Sequence, residues 1–242
     1  MKSGFSVLST TGAFLAMAFS NLSYAQSKAP DVVGIKLGMS VDEVRAAIKA
    51  HDPNMIIVEW ASWNARPGVP ASLAKIRGCI DPVKGTPKLY QACRDLVEIT
   101  FGHMSKKALF LHRELDMGDS TLQQVAIDSL ESKYGSPTYK NIRPNQPVTQ
   151  FQWAFTPAGA PVEGVACAVG DASGLEDGQV KKQCGTVVGA LLYAGKGALA
   201  RRFIVDVYQN QRFVDEGALF NAAVKANQEQ TEGAAKGNKI KL

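Results

Sequence analysis

The sequence predicts an α+β fold, with antiparallel sheet built from hairpins and helices packed on one face. Three observations predict it. Leu96 to His103 alternates, with Val97, Ile99 and Phe101 on one side and Glu98 and Thr100 on the other, which is the period of a half-buried strand. Ser105-Lys106-Lys107 and Gly195-Lys196-Gly197 are short turns between β-rich runs, and short turns join antiparallel neighbours. Val41, Val44 and Ile48, with Ala47 beside them, make an apolar stripe at helical spacing.

The elements follow in order. Gln26 to Asp31 is a polar lead-in, and Val32 to Leu37 is extended. Ser40 stands three residues before Glu43, the spacing of a capping box, so a helix over Val41 to His51 is expected, ending before Pro53. Met55 to Trp60 is rich in strand formers. Trp63 to Pro70 reads as a loop and Ser72 to Cys79 as a short strand. Asp81 to Leu89 carries Pro82, Gly85 and Pro87 and is irregular. Leu96 to His103 and Ala108 to Leu115 are the arms of a hairpin.

Met117-Gly118-Asp119-Ser120 loosely echoes the first helix start, so a second helix is expected over Ser120 to Tyr134. Gly135 and Pro137 stop it. Asn141 to Pro147 is a proline-bearing linker. Gln150 to Thr156 is a strand with Phe151, Trp153 and Phe155 on one face, and Val162 to Gly170 is a further strand. Thr186 to Ala194 and Arg201 to Gln209 form a second hairpin, with Phe203, Val205 and Val207 facing in. A last helix is expected over Val214 to Gln228. The predicted organisation is a leader over residues 1–25, a helix-plus-sheet module over 26–140, a second sheet module with a C-terminal helix over 148–230, and a disordered tail over 231–242. One sheet and a tandem of two modules both satisfy this order.

Residues 1–25 have the plan of an export signal. Lys2 is the positive start, Val7 to Phe19 a short interrupted apolar run, and Ser23-Tyr24-Ala25 supplies small residues where a signal peptidase cuts. Cleavage after Ala25 is expected. The run is too short for a transmembrane anchor. No cysteine lies near the cut to carry lipid, and no later segment is apolar enough to span a bilayer. A soluble periplasmic product is expected. Losing Lys2 lowers the formal net charge of +5 by one. The basic residues are scattered, which does not suit nucleic acid.

Four cysteines, Cys79, Cys93, Cys167 and Cys184, follow the leader. An even count in an exported chain reads as two disulfides, with three possible pairings. Cys79–Cys93 with Cys167–Cys184 is the most economical, because each bridge closes a local loop. No C-x-x-C pair is present and the histidines lie elsewhere, so no metal site is called for.

The stretch L-G-M-S-V-D-E-V, Leu37 to Val44, resembles the helix start of small bacterial envelope proteins of the BamE/SmpA family and of the β-lactamase-inhibitory-protein type. The resemblance covers about fifteen residues. It implies helices on a curved antiparallel sheet and protein–protein binding rather than catalysis. The chain departs from the lipoprotein pattern in lacking the lipidated cysteine and in being about twice as long. A tandem, inhibitor-like arrangement suits that length. No functional residue is carried over.

Catalytic patterns find little support. Gly170-Asp171-Ala172-Ser173-Gly174 lacks the spacing of a nucleophile elbow. His51 ends a helix, where a cation complements the dipole. His103 and His112 flank the hairpin turn and are expected to pair across strands. Gly195 to Ala200 joins two strands, so its amides do not converge on an anion as at a helix start. Asp171, Glu176 and Asp177 lack calcium-loop spacing. No cofactor is implied.

The candidate binding residues are Trp60, Trp63 and Arg66, with Tyr90 brought near through the first disulfide loop. Trp, Tyr and Arg most often anchor interfaces, and loops carry function. The plainer alternative is that Trp60 finishes a core strand and Trp63 caps the core. The resulting expectation is a non-catalytic periplasmic binding protein for another envelope protein or a cell-wall component. A hydrolase with a dispersed triad and a small-ligand carrier are the alternatives.

Overall fold

The computed structural model describes residues 29–80, 93–142, 147–162, 167, 175–176, 179–180 and 184–237. In chain order the elements are β1 (Asp31–Val32), β2 (Ile35–Lys36), α1 (Val41–His51), β3 (Ile56–Trp63), β4 (Ser72–Ile80), β5 (Asp95–Phe101), β6 (Ala108–Leu122) and α2 (Gln123–Tyr134). Then come β7 (Tyr139–Asn141), β8 (Val148–Ala154), β9 (Leu175–Glu176), β10 (Gln179–Val180), β11 (Thr186–Ala194), β12 (Leu199–Gln209) and α3 (Asn210–Gly237).

The large sheet has eight strands in the order β3-β4-β5-β6-β12-β11-β8-β7, each pair antiparallel. The two halves of the chain are joined where β6 pairs β12, with Leu111 opposite Val207 and Arg113 opposite Val205. The sheet is therefore continuous. One of its faces carries Ile76, Val97, Ile99, Phe101, Leu111, Val188, Val205 and Val207, and all are buried with Val44 and Ile48 of α1 and Leu130 of α2. Phe151, Trp153 and Phe155 join the same cluster, as their spacing predicts. Fully burying a side chain of this size contributes about 1.5–3 kcal/mol, so this face holds the fold together.

α1 starts as its spacing requires. The Glu43 amide donates to Ser40 Oγ, and the Ser40 amide donates to Glu43 Oε2 at 2.7 Å. α2 does not start at Ser120. Residues 116–122 stay in β6 because Leu122 and Thr121 pair with Leu199 and Ala200 of β12, past a register shift. The Ser120 hydroxyl donates instead to the Met117 carbonyl. Donors at the start of α2 are met by the β11–β12 turn: the Gln123 amide bonds the Ala198 carbonyl at 2.9 Å and Gln123 Nε2 bonds the Leu199 carbonyl at 3.0 Å.

α3 begins directly after β12 and runs to Gly237, beyond the expected end at Gln228 and through most of the segment expected to be disordered. Good helix formers such as Gln228, Glu229, Gln230 and Ala234, all exposed, let it continue without a packed face there.

Both cysteine pairs are the local ones, Cys79–Cys93 and Cys167–Cys184, with Cα separations of 5.5 and 5.4 Å. Two disulfides mark an oxidising, exported environment. Among the described residues no helix is long and apolar enough to cross a membrane. The leader, the tail end at 238–242, and most of the strand and loop expected over Val162 to Gln183 lie outside the described residues. Val162 itself follows an isolated bridge between Phe155 and Pro161.

Candidate functional site

Trp63 closes β3, and it is part of the strand rather than of the loop. Its indole Nε1 donates to the Phe101 carbonyl at 2.9 Å. The indole stacks on the His103 ring at 5.9 Å between centroids, and His103 in turn meets Phe220 of α3 at 5.7 Å. His103 Nε2 lies 2.7 Å from the Pro70 carbonyl, which orients the middle ring. Trp63, His103 and Phe220 thus run as a series of rings from the sheet edge to the helix.

α3 is locked in place beside them. The Glu216 carboxylate accepts the backbone amides of Met104 and Ser105 at the β5–β6 turn. Gly102 permits this approach, since a Cβ there would stand 2.4 Å from Glu216 Oε2. Farther along, a Cβ on Gly68 would meet the Asn227 side chain at 2.6 Å, and Gly68 also holds φ at +78°. The β3–β4 loop and the β5–β6 turn are therefore both fitted to α3.

The result is an open groove of about 650 Å³. Trp63, Phe213 and Phe220 supply its rings, and Asn64, Arg66 and Asn221 its polar rim. Trp63 and Phe213 are each 41% exposed although they are large and apolar. The Arg66 backbone bridges to Val69 in both directions, while its guanidinium forms no ion pair among the described residues. Rigid rings beside uncommitted polar groups are what a contact surface requires.

The predicted site residues separate. Trp63 and Arg66 share the groove. Trp60 does not join them: the Arg77 guanidinium sits over its ring, 3.9 Å from the centroid. Register shifts at Glu59/Ala61 and Ala61/Ser62 break the strand's alternation between the two indoles. Tyr90 lies outside the described residues. Sequence reading missed Phe213, Phe220, Asn221 and Glu216, because the last helix was expected to begin at Val214 and nothing local brings it to the β5–β6 turn.

The histidines do not pair with each other, since Thr100 opposes Phe110 and Glu98 opposes His112. His112 Nδ1 lies 2.8 Å from Asp206 Oδ1 on the neighbouring strand. In the same row, Glu98 takes Lys75 and Arg77 at 2.8 Å each. Burial pushes its carboxyl pKa up, and those two cations outweigh burial and hold it below the ordinary value. These are residues of the sheet face turned away from α1 and α2. Among the described residues neither His103 nor His112 is hydrogen-bonded to a serine hydroxyl through its ring.

His51 has a tertiary partner as well as its helix end. Its Nε2 stands 3.0 Å from Asp95 Oδ2, and Arg113 grips the same carboxylate in two bonds of 2.9 and 2.8 Å. Burial works to raise the Asp95 pKa; the bonds from Arg113 and His51 prevail and lower it. No family model, curated protein or solved structure matches the chain.

Proposed function

We propose that the chain is a non-catalytic binding protein of the bacterial periplasm, exported by cleavage after Ala25, that recognises another envelope protein or a cell-wall component. The observation that carries the reading is the Trp63–His103–Phe220 ring series lining an open groove, with Arg66 unpaired among the described residues at its rim. The groove is built before any ligand arrives, because Glu216 and the Trp63 indole are already tied to backbone. Such preorganisation spares the ordering cost of binding. A ligand with flat faces and polar edges, an extended peptide or a glycan strand, matches rings flanked by side-chain amides.

The leader and the two disulfides support the compartment. The helix-start resemblance at Leu37 to Val44 supports a binding role. The test is capture from a periplasmic extract on the immobilised protein, run beside Trp63→Ala and Arg66→Glu. A component retained by the wild type and lost by both variants supports the reading. Equal retention by all three, or turnover of a wall-derived substrate, contradicts it.

A further inference from the structure

α2 stands off the sheet that it covers. Leu130 is its buried residue, its start has no side-chain cap, and Leu122 and Val125 beside that start are 51% and 50% exposed. Between α2 and strands β6 and β12 lies a cavity of about 300 Å³. Leu115 and Met117 of β6, Phe203 and Val205 of β12, and Val125 and Leu130 of α2 wall it. That volume is at the lower end of ligand pockets, roughly 300–1,000 Å³. An apolar space left empty forfeits the dispersion contacts its lining would otherwise make.

The charged groups in the lining are Arg113 and Lys133, both cations. The carboxylates that hold them stand outside it: Asp95 takes Arg113 Nε and Nη2, and Asp31 takes Lys133 Nζ at 3.0 Å. Arg113 Nη1 bonds no described residue. The Thr121 hydroxyl adds a neutral donor to the same wall. An apolar chamber with two cations and no acid in its lining selects an anion that carries a hydrocarbon body.

We propose that this cavity binds a small single-chain monocarboxylate, with its hydrocarbon between α2 and the sheet and its carboxylate at Arg113 and Lys133. The site is independent of the Trp63 groove, which lies by the other end of β6. The volume limits the body to a medium-length chain. Binding covers Val125 and ties α2 to β6 and β12, so it stabilises the fold by linkage.

The test is calorimetric titration of the purified, disulfide-intact protein with sodium octanoate and with octylammonium chloride. Octanoate is expected to bind saturably and to raise the melting temperature, with octylammonium at least about tenfold weaker. Lys133→Gln, at a side chain 40% exposed, is expected to keep the fold and to weaken octanoate by roughly tenfold or more, the size of a lost charged hydrogen bond. Ala126→Phe is expected to fill the chamber and abolish binding; if that variant does not fold, Lys133→Gln decides. Absence of octanoate binding at millimolar concentration, equal affinity for octylammonium, or unchanged affinity in Lys133→Gln would overturn the proposal.

Discussion

The Trp63 indole donates to the Phe101 carbonyl at 2.9 Å, and this one bond sets the ring that faces the groove. It ties the last residue of an edge strand to β5, which is not its neighbour in the sheet. Trp63→Ala is expected to cost binding more than folding. The ring is 41% exposed, so stability should fall by only about 1–2 kcal/mol, from one hydrogen bond and partial burial. Affinity for the captured component should fall by about 2 kcal/mol or more, the size of an interface anchor. Urea melts and retention on immobilised protein measure the two separately.

Val44 and Ile48 are fully buried beneath the sheet, so Val44→Asp places an unpaired charge in the core. A loss of more than about 4 kcal/mol is expected, enough to unfold a domain of ordinary stability. The far-ultraviolet circular dichroism of the variant should lose its native form. Asp42→Ala, at an exposed position on the same helix, should stay folded and serves as the control.

That helix was legible in the sequence because its determinants are local. Ser40, Glu43, Val44 and Ile48 lie within nine positions, and the capping box and the apolar stripe agree. The start of α2 was not legible because its amide and side-chain partners, Ala198 and Leu199, lie some seventy-five residues away on the β11–β12 turn. The groove was half legible. Trp63 and Arg66 stand out by residue type, whereas Glu216 and Phe220 matter only because α3 returns to the β5–β6 turn. Trp60 looked equivalent to Trp63, but its ring is taken up by Arg77 of the neighbouring strand, a contact that residue type alone does not reveal.

Asp95 gives a pH dependence with a definite sign. The bonds from Arg113 and His51 hold its folded pKa below the ordinary aspartate value of 3.8. The stability contributed is therefore fully present above that value and lost as pH falls through the folded pKa. As far as Asp95 is concerned, the urea midpoint should hold from neutral pH down to about pH 4 and fall below it as the carboxylate is protonated. Asp95→Asn removes this acid-side loss and, by leaving Arg113 without its counter-charge, costs roughly 3–5 kcal/mol at neutral pH.

Each disulfide closes a short loop, with sequence separations of 14 and 17. The paired substitution Cys79→Ser with Cys93→Ser is expected to lower stability by about 3 kcal/mol, as is the pair Cys167→Ser with Cys184→Ser. Urea melts with and without dithiothreitol check this, since reductant should bring the wild type below either variant.

The central claim is that the groove at Trp63 is where this protein meets its partner. The most direct measurement is photocrosslinking in living cells, with a photoreactive residue in place of Asn64 in the groove lining and, separately, in place of Ile56 at the start of β3, 54% exposed. The account predicts a discrete light-dependent adduct from position 64, absent from position 56 and abolished by Trp63→Ala. No adduct at position 64, or the same adducts from both positions, would contradict it.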